Sequence, residues 1–365
     1  MGTADGGVAF LSHPGAGSIV AAAPGVRGGW GSSGLWGAPL VPLLVLVLVL
    51  GAVQPQAAAG DVDLLPPMTG DVESDDGTRT VGSPTVGEPT EPPDTRLRML
   101  AAALISAGVV GGAALNSFTD NPTGGFHVTQ EHWFGENAYV GGGDKASHFV
   151  SFEIIARELA TIYQYLGIPP MPARLGGFTV SLLTGLTIEL ADGTNQYGFS
   201  YEDLVMDALG AGTAVLTGST GTQDLIGFRW GLVPGPVPPH KAEGMGRDYS
   251  HEIYAADLKL AGVARRLGVD FGPARFLLIG LTYGVKGYPY GAPNARERQL
   301  GFEVGLNFEE MLDTVDVHRD TWWGIATHVV FDNFRIPFTA GGAQYDLNHH
   351  AWRGPNTGNG CGSCK

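Results

Sequence analysis

The sequence predicts an α+β fold: a bundle of about four largely apolar helices followed by an antiparallel β meander. Three observations carry this. Up to about Thr217 the apolar residues recur at helical spacing or run uncharged for several turns, whereas beyond it the period falls to two, most clearly from Arg298 to Phe308. Turn-rich stretches such as Leu267 to Pro273 and Tyr288 to Asn294 separate the alternating segments. A chain of 365 residues with 44% hydrophobic content is long enough to bury a real core. Its 36 acidic residues against 21 basic, without a Lys/Arg cluster, exclude a phosphate-backbone partner, so nucleic acid is set aside.

Residues 1–59 read as a signal-like or anchor segment. Leu40 to Val53 is an uncharged apolar run, shorter than a spanning helix needs, and it leads through Gln54-Pro55-Gln56 to Ala57-Ala58-Ala59, where cleavage is expected. The stretch before the run is long and carries only Arg27 as a positive charge, so an anchor stays open beside a cleaved signal. The only cysteines are Cys361 and Cys364, so N-terminal lipidation is not expected. Residues 60–95 hold nine acidic residues against Arg79 alone, among Pro, Gly and Thr, which is the composition of a disordered, self-repelling linker.

The helical half is expected over 96–221. Leu97 to Phe118 is rich in Ala, Gly and Val with Arg98 as its only charge, and fits either a transmembrane helix or the buried centre of a bundle. Phe126 to Tyr139 is a connector. Lys145 to Leu166 pairs Glu153 with Arg157 at i,i+4 spacing and carries an apolar stripe of Ile154, Ile155, Leu159 and Ile162. Pro172 to Leu190 is uncharged from Leu175 through Ile188, which predicts burial on every side. The next helix starts after Ser200, which has capping-box spacing to Asp203; Asp203 and Asp207 share a face, and Gly210, Ala211 and Gly212 allow close approach to a neighbour.

The β-rich half, 222–352, is read as belonging to the same domain. Tyr254 to Val263, Ala274 to Lys286 and Arg298 to Phe308 alternate; in the last, Leu300, Phe302, Val304 and Leu306 line one face and Gly301, Glu303 and Gly305 the other. Too few strands are recognisable for barrel closure, so a half-buried sheet covering the helices is expected. Asn307 to Leu312 starts a short helix, Trp322 to Phe338 is ambiguous, and 353–365 is a flexible tail. Cys361 and Cys364 fit an exposed disulfide after export, with metal binding alongside His349 and His350 as the other reading.

Chemistry concentrates at the glycine turn Gly141-Gly142-Gly143, which opens into a helix at Asp144. Asp144 suits an N-cap or first-turn acid, and His148 lies four residues on, where a carboxylate can orient or charge an imidazole. Together with Glu189 and Asp203, expected respectively at the rim and in the core of one site, these are the candidates for acid–base chemistry. Asp144, His148 and Asp203 are the candidates for a divalent metal. The opposing reading makes the same groups a hydrogen-bonded structural network, since buried ionisable groups persist only when paired. No nucleophile elbow, phosphate loop or complete metal signature is present, which favours the structural reading and leaves enzyme activity open.

The runs Glu131-His132-Trp133-Phe134-Gly135, Gly142-Gly143-Asp144-Lys145-Ala146-Ser147-His148-Phe149, Glu189-Leu190-Ala191-Asp192-Gly193 and Phe199-Ser200-Tyr201-Glu202-Asp203-Leu204, with Gly210, resemble the YfiM-type family of predicted periplasmic lipoproteins, a domain of unknown function. The likeness continues through Leu300 to Phe308 and Tyr345 to Asn348. It implies an exported, periplasmic or envelope protein, possible membrane association, and membrane or envelope components as partners. A looser likeness joins Asp144, Lys145, His148, Glu189 and Asp203 to VanZ-like membrane proteins. Neither family implies a reaction.

Overall fold

The computed structural model describes residues 95–118, 125–233, 249–288 and 292–354. The signal-like segment, all but the last residue of the acidic linker, and Cys361 and Cys364 lie outside them. The architecture is α+β. Four long helices come first: α1 (Thr95–Phe118), α2 (Gly143–Tyr165), α3 (Pro170–Asp192) and α4 (Tyr201–Thr220). The strand pair β1 (Val128–Thr129) and β2 (Phe199–Ser200) is parallel and ties the connector before α2 to the start of α4.

Close helix contacts follow from glycine at the crossing points. A Cβ on Gly210 of α4 would lie 2.1 Å from the Phe149 carbonyl oxygen of α2, and one on Gly177 of α3 would lie 2.3 Å from that of Ala156. The apolar core joins Ile105 and Val109 of α1, Leu159 and Ile162 of α2, Val180 of α3, and Ile325 and Val329 of α7 (Trp322–Asn333). Helix α3 corrects one expectation, that of burial on every side. Leu183 and Leu190 are exposed, as is Leu175, so α3 is buried on one face and bare on the other.

The remaining strands are β3 (Ile226–Leu232), β4 (Glu252–Lys259), β5 (Leu277–Lys286), β6 (Glu297–Leu306), β7 (Phe334–Arg335), β8 (Ala340–Asp346) and β9 (Ala351–Arg353). They form one sheet in the order β7-β3-β4-β5-β6-β8-β9, antiparallel throughout except for β3 with β7. The strand expected to run to Val263 stops at Lys259. Helix α5 (Leu260–Leu267) takes over, because Leu260, Val263, Ala264 and Leu267 have helical rather than alternating spacing. Helix α6 (Phe308–Thr314) begins where expected, with the Asn307 side chain accepting the Glu310 N–H at 3.2 Å. The ambiguous stretch from Trp322 resolves into α7 followed by β7.

The sheet is curled, with its polar face inside. Arg335 on β7 meets both carboxylate oxygens of Glu303 on β6, at 2.9 and 3.1 Å. Four strand spacings separate β7 from β6, about 19 Å on a flat sheet, too far for side chains that stand perpendicular to it. Arg229 on β3 bridges the same Glu303 at 3.3 Å and Asp257 on β4 at 2.9 Å. Glycines give the inner face room to close: a Cβ on Gly280 would sit 2.6 Å from Asp257 Oδ1, and one on Gly231 2.8 Å from Arg335 Cβ. Arg229, Asp257, Thr282, Gln299, Glu303 and Gln344 are buried, while Leu258, Ile279, Leu281, Leu300, Phe302 and Val304 are exposed. The expectation that the apolar face covers the helices therefore holds only at one end. There Val150 and Ala146 of α2 pack on Tyr254, and Phe149 meets Phe228 edge-on at 5.2 Å.

Candidate functional site

The glycine turn is fixed by packing before any charge is placed. Gly142 has φ 82° and is the residue at which α2 is capped; a Cβ there would come within 2.5 Å of the Phe134 ring, and one on Gly143 within 2.7 Å of Val285. Asp144 is therefore not the cap. It stands at the second helical position, and its carboxylate accepts from the N–H and the Nζ of Lys145, both at 2.9 Å.

Lys145 is fully buried and is the centre of the cluster. Its ammonium meets Asp144, Asp203 at 2.7 Å, and Glu131 on the connector. Glu131 is itself held by the Glu202 carboxylate, which accepts the Glu131 N–H at 2.8 Å, so the first turn of α4 grips the connector directly. A cation near a helix N-terminus opposes the helix dipole, and here three carboxylates offset that. This was the signal that sequence reading passed over: a lysine in the first turn of an apolar helix needs acids around it.

His148 does not pair with Asp144. Its Nδ1 lies 2.7 Å from Asp207 Oδ1, its Nε2 lies 3.9 Å from Asp203, and its ring stacks on Phe152 with 5.8 Å between centroids. The i,i+4 spacing gave the right face and the wrong partner, since Asp144 is drawn to the nearer ammonium. Glu189 is buried within the cluster rather than at its rim. Its Oε2 accepts the Ser200 N–H at 2.8 Å, while the Ser200 hydroxyl caps α4 by accepting from Asp203 N at 3.3 Å. Glu189 thus fills the reciprocal half of the capping box that Asp203 leaves open.

Charge is unevenly balanced here: Glu131, Asp144, Glu189, Asp203 and Asp207 face Lys145 and His148. Burial raises the Asp144 carboxyl to about 6 despite Lys145, and raises Glu189 to about 8 despite His148. Asp207 is raised by burial as well, against the pull of His148. Burial pulls the His148 imidazole down, but Asp203 and Asp207 outweigh it and hold it well above its usual range. Burial likewise disfavours the Lys145 ammonium, which Asp144, Asp203 and Glu131 more than offset.

The metal candidates regroup into two sets that share Asp203. One ligand atom each from His148, Glu189 and Asp203 lie within 4.8 Å of one another, and so do atoms of Glu131, Asp144 and Asp203. Lys145 occupies the second set and leaves the first as the better fit to a cation. Two cavities of about 10 Å³ each are lined by residues of the sheet half and its flanking helices, and no cluster residue lines either. At the far end, His349 is engaged by Asp346 at 2.7 Å and by the Asn294 carbonyl at 3.0 Å.

Residues 130–219, fewer than half of the chain, match the model of a family described as predicted periplasmic lipoprotein (DUF2279). The matched segment spans every residue of the cluster. The VanZ likeness gains no support from the comparisons. No curated protein and no solved structure matches the chain.

Proposed function

We propose that this chain is an exported component of the cell envelope, of the YfiM type and not N-terminally lipidated, in which the cluster around Lys145 is a structural core rather than a catalytic centre. One observation carries the reading: Lys145 is fully buried and its ammonium is taken up by carboxylates from the connector, α2 and α4. A general acid or nucleophile must reach substrate, and this group reaches only its own chain. The family description supports the envelope location.

A second reading rests on the convergence of His148, Glu189 and Asp203 within 4.8 Å, which suits a divalent cation or an acid–base pair acting on a lipid-linked or cell-wall substrate, with Asp144 assisting. Metal analysis of the purified protein together with thermal unfolding of His148→Ala separates the two. The structural reading predicts no stoichiometric metal and a variant destabilised by about 1–3 kcal/mol, because Asp207 is left buried and unpaired. Stoichiometric divalent metal that His148→Ala abolishes without loss of stability would establish the second. Mass spectrometry of the mature protein tests the leader and lipid assignments.

A further inference from the structure

Charge points inward and apolar surface outward in both halves. In α3 and α4 the residues Glu189, Glu202, Asp203 and Asp207 are buried, while Leu175, Leu183 and Leu190 of α3 and Val205, Leu209 and Leu216 of α4 are exposed. Helix α1 is long and apolar enough to cross a membrane, yet only 22% of its most apolar 18-residue window is buried, and Leu97, Leu100, Leu104 and Leu115 face outward. The sheet repeats the inversion. Leu258, Ile279 and Val304 form one cross-strand row, and Leu281 pairs with Phe302 in the next, at 59% and 54% exposure, over an interior of Arg229, Asp257, Glu303 and Arg335.

We propose that this exterior is a lipid-contacting surface, seated against the acyl chains of a bilayer. The occupant follows from the distribution. A protein partner covers one patch with a polar rim, whereas here the outward faces of three helices and of the sheet are predominantly apolar, with exposed arginines at the start of α1 (Arg96 and Arg98), as an apolar solvent requires. Apolar outside and ion-paired inside is also the pattern of strands that face lipid, and inside Arg229 and Arg335 pair with Asp257 and Glu303. The pocket lined by Thr282, Glu303 and Arg335 measures about 10 Å³, room for about one water.

This deepens the envelope reading and rests on it for which membrane is met. The test uses the full chain with Cys361→Ser and Cys364→Ser, reconstituted in vesicles of phosphatidylethanolamine and phosphatidylglycerol. A polarity-sensitive fluorophore is placed singly at Leu281→Cys, Phe302→Cys, Leu209→Cys and, as the aqueous control, Gln223→Cys. Doxyl-labelled lipid should quench the first three at least about threefold more than aqueous iodide does, with the order reversed at 223. Each of the three lies on an exposed face, so if one variant fails to fold the others carry the result. Iodide quenching at 209, 281 and 302 in vesicles overturns the proposal, and so does protection from both quenchers, which would mean a second protein copy covers the surface. Cell fractionation tests the envelope reading separately: a cytoplasmic chain whose labels still enter lipid would sink the location and spare the surface.

Discussion

Asp203 holds the cluster together, touching Lys145 and facing His148 while its own N–H is capped by Ser200. Removing the cation should therefore do more harm than removing any one acid. Lys145→Met leaves the buried Asp144 and Asp203 and the half-buried Glu131 without their ammonium and is expected to lower stability by about 3–5 kcal/mol, read from urea unfolding at neutral pH. The pH dependence follows from Glu189. Its folded pKa of about 8 stands above the ordinary glutamate value of 4.5, so the folded state holds a proton that the unfolded state releases, and stability declines as pH rises from about 5 through 8. His148, also raised, adds to the same slope. Glu189→Gln should flatten the profile in that window; an unchanged slope would remove Glu189 from the account. His148 and Asp203 were legible from spacing and capping pattern. Lys145 was not, because a lysine beside an aspartate ordinarily reads as a solvated surface pair, and its third partner, Glu131, comes from a connector with no periodic signal.

The helices were legible as elements because their apolar runs and glycine stops are local properties. Ser200→Ala removes the α4 cap and should lower the unfolding midpoint by the equivalent of about 1 kcal/mol. Gly210→Ala drives a methyl into the Phe149 carbonyl, so α2 and α4 must separate, and a loss of about 1–3 kcal/mol in thermal unfolding is expected. The strand-to-helix change at Leu260 escaped an alternating reading because the two periods overlap at Leu258, Leu260 and Gly262. Packing decides there: a Cβ on Gly262 would lie 1.9 Å from the Asp224 carbonyl oxygen, so this turn docks against the segment before β3.

For the whole molecule, alternation revealed that the sheet has two faces but not which one is inside. The usual assumption puts leucine and phenylalanine in the core; Phe302 and Glu303 reverse it, because Arg229 on β3 and Arg335 on β7 reach Glu303 on β6 only when the sheet curls. Ion pairing across the curl thus organises the β half as Lys145 organises the helical half, and both place charge where a water-soluble fold keeps its apolar residues. A double-mutant cycle on Arg335→Met and Glu303→Gln tests it most directly, by denaturant unfolding of both singles and the double. Contact across the curl predicts a coupling of about 0.5–3 kcal/mol, whereas residues about 19 Å apart on an open sheet would give effects that add to within about 0.5 kcal/mol and contradict the account.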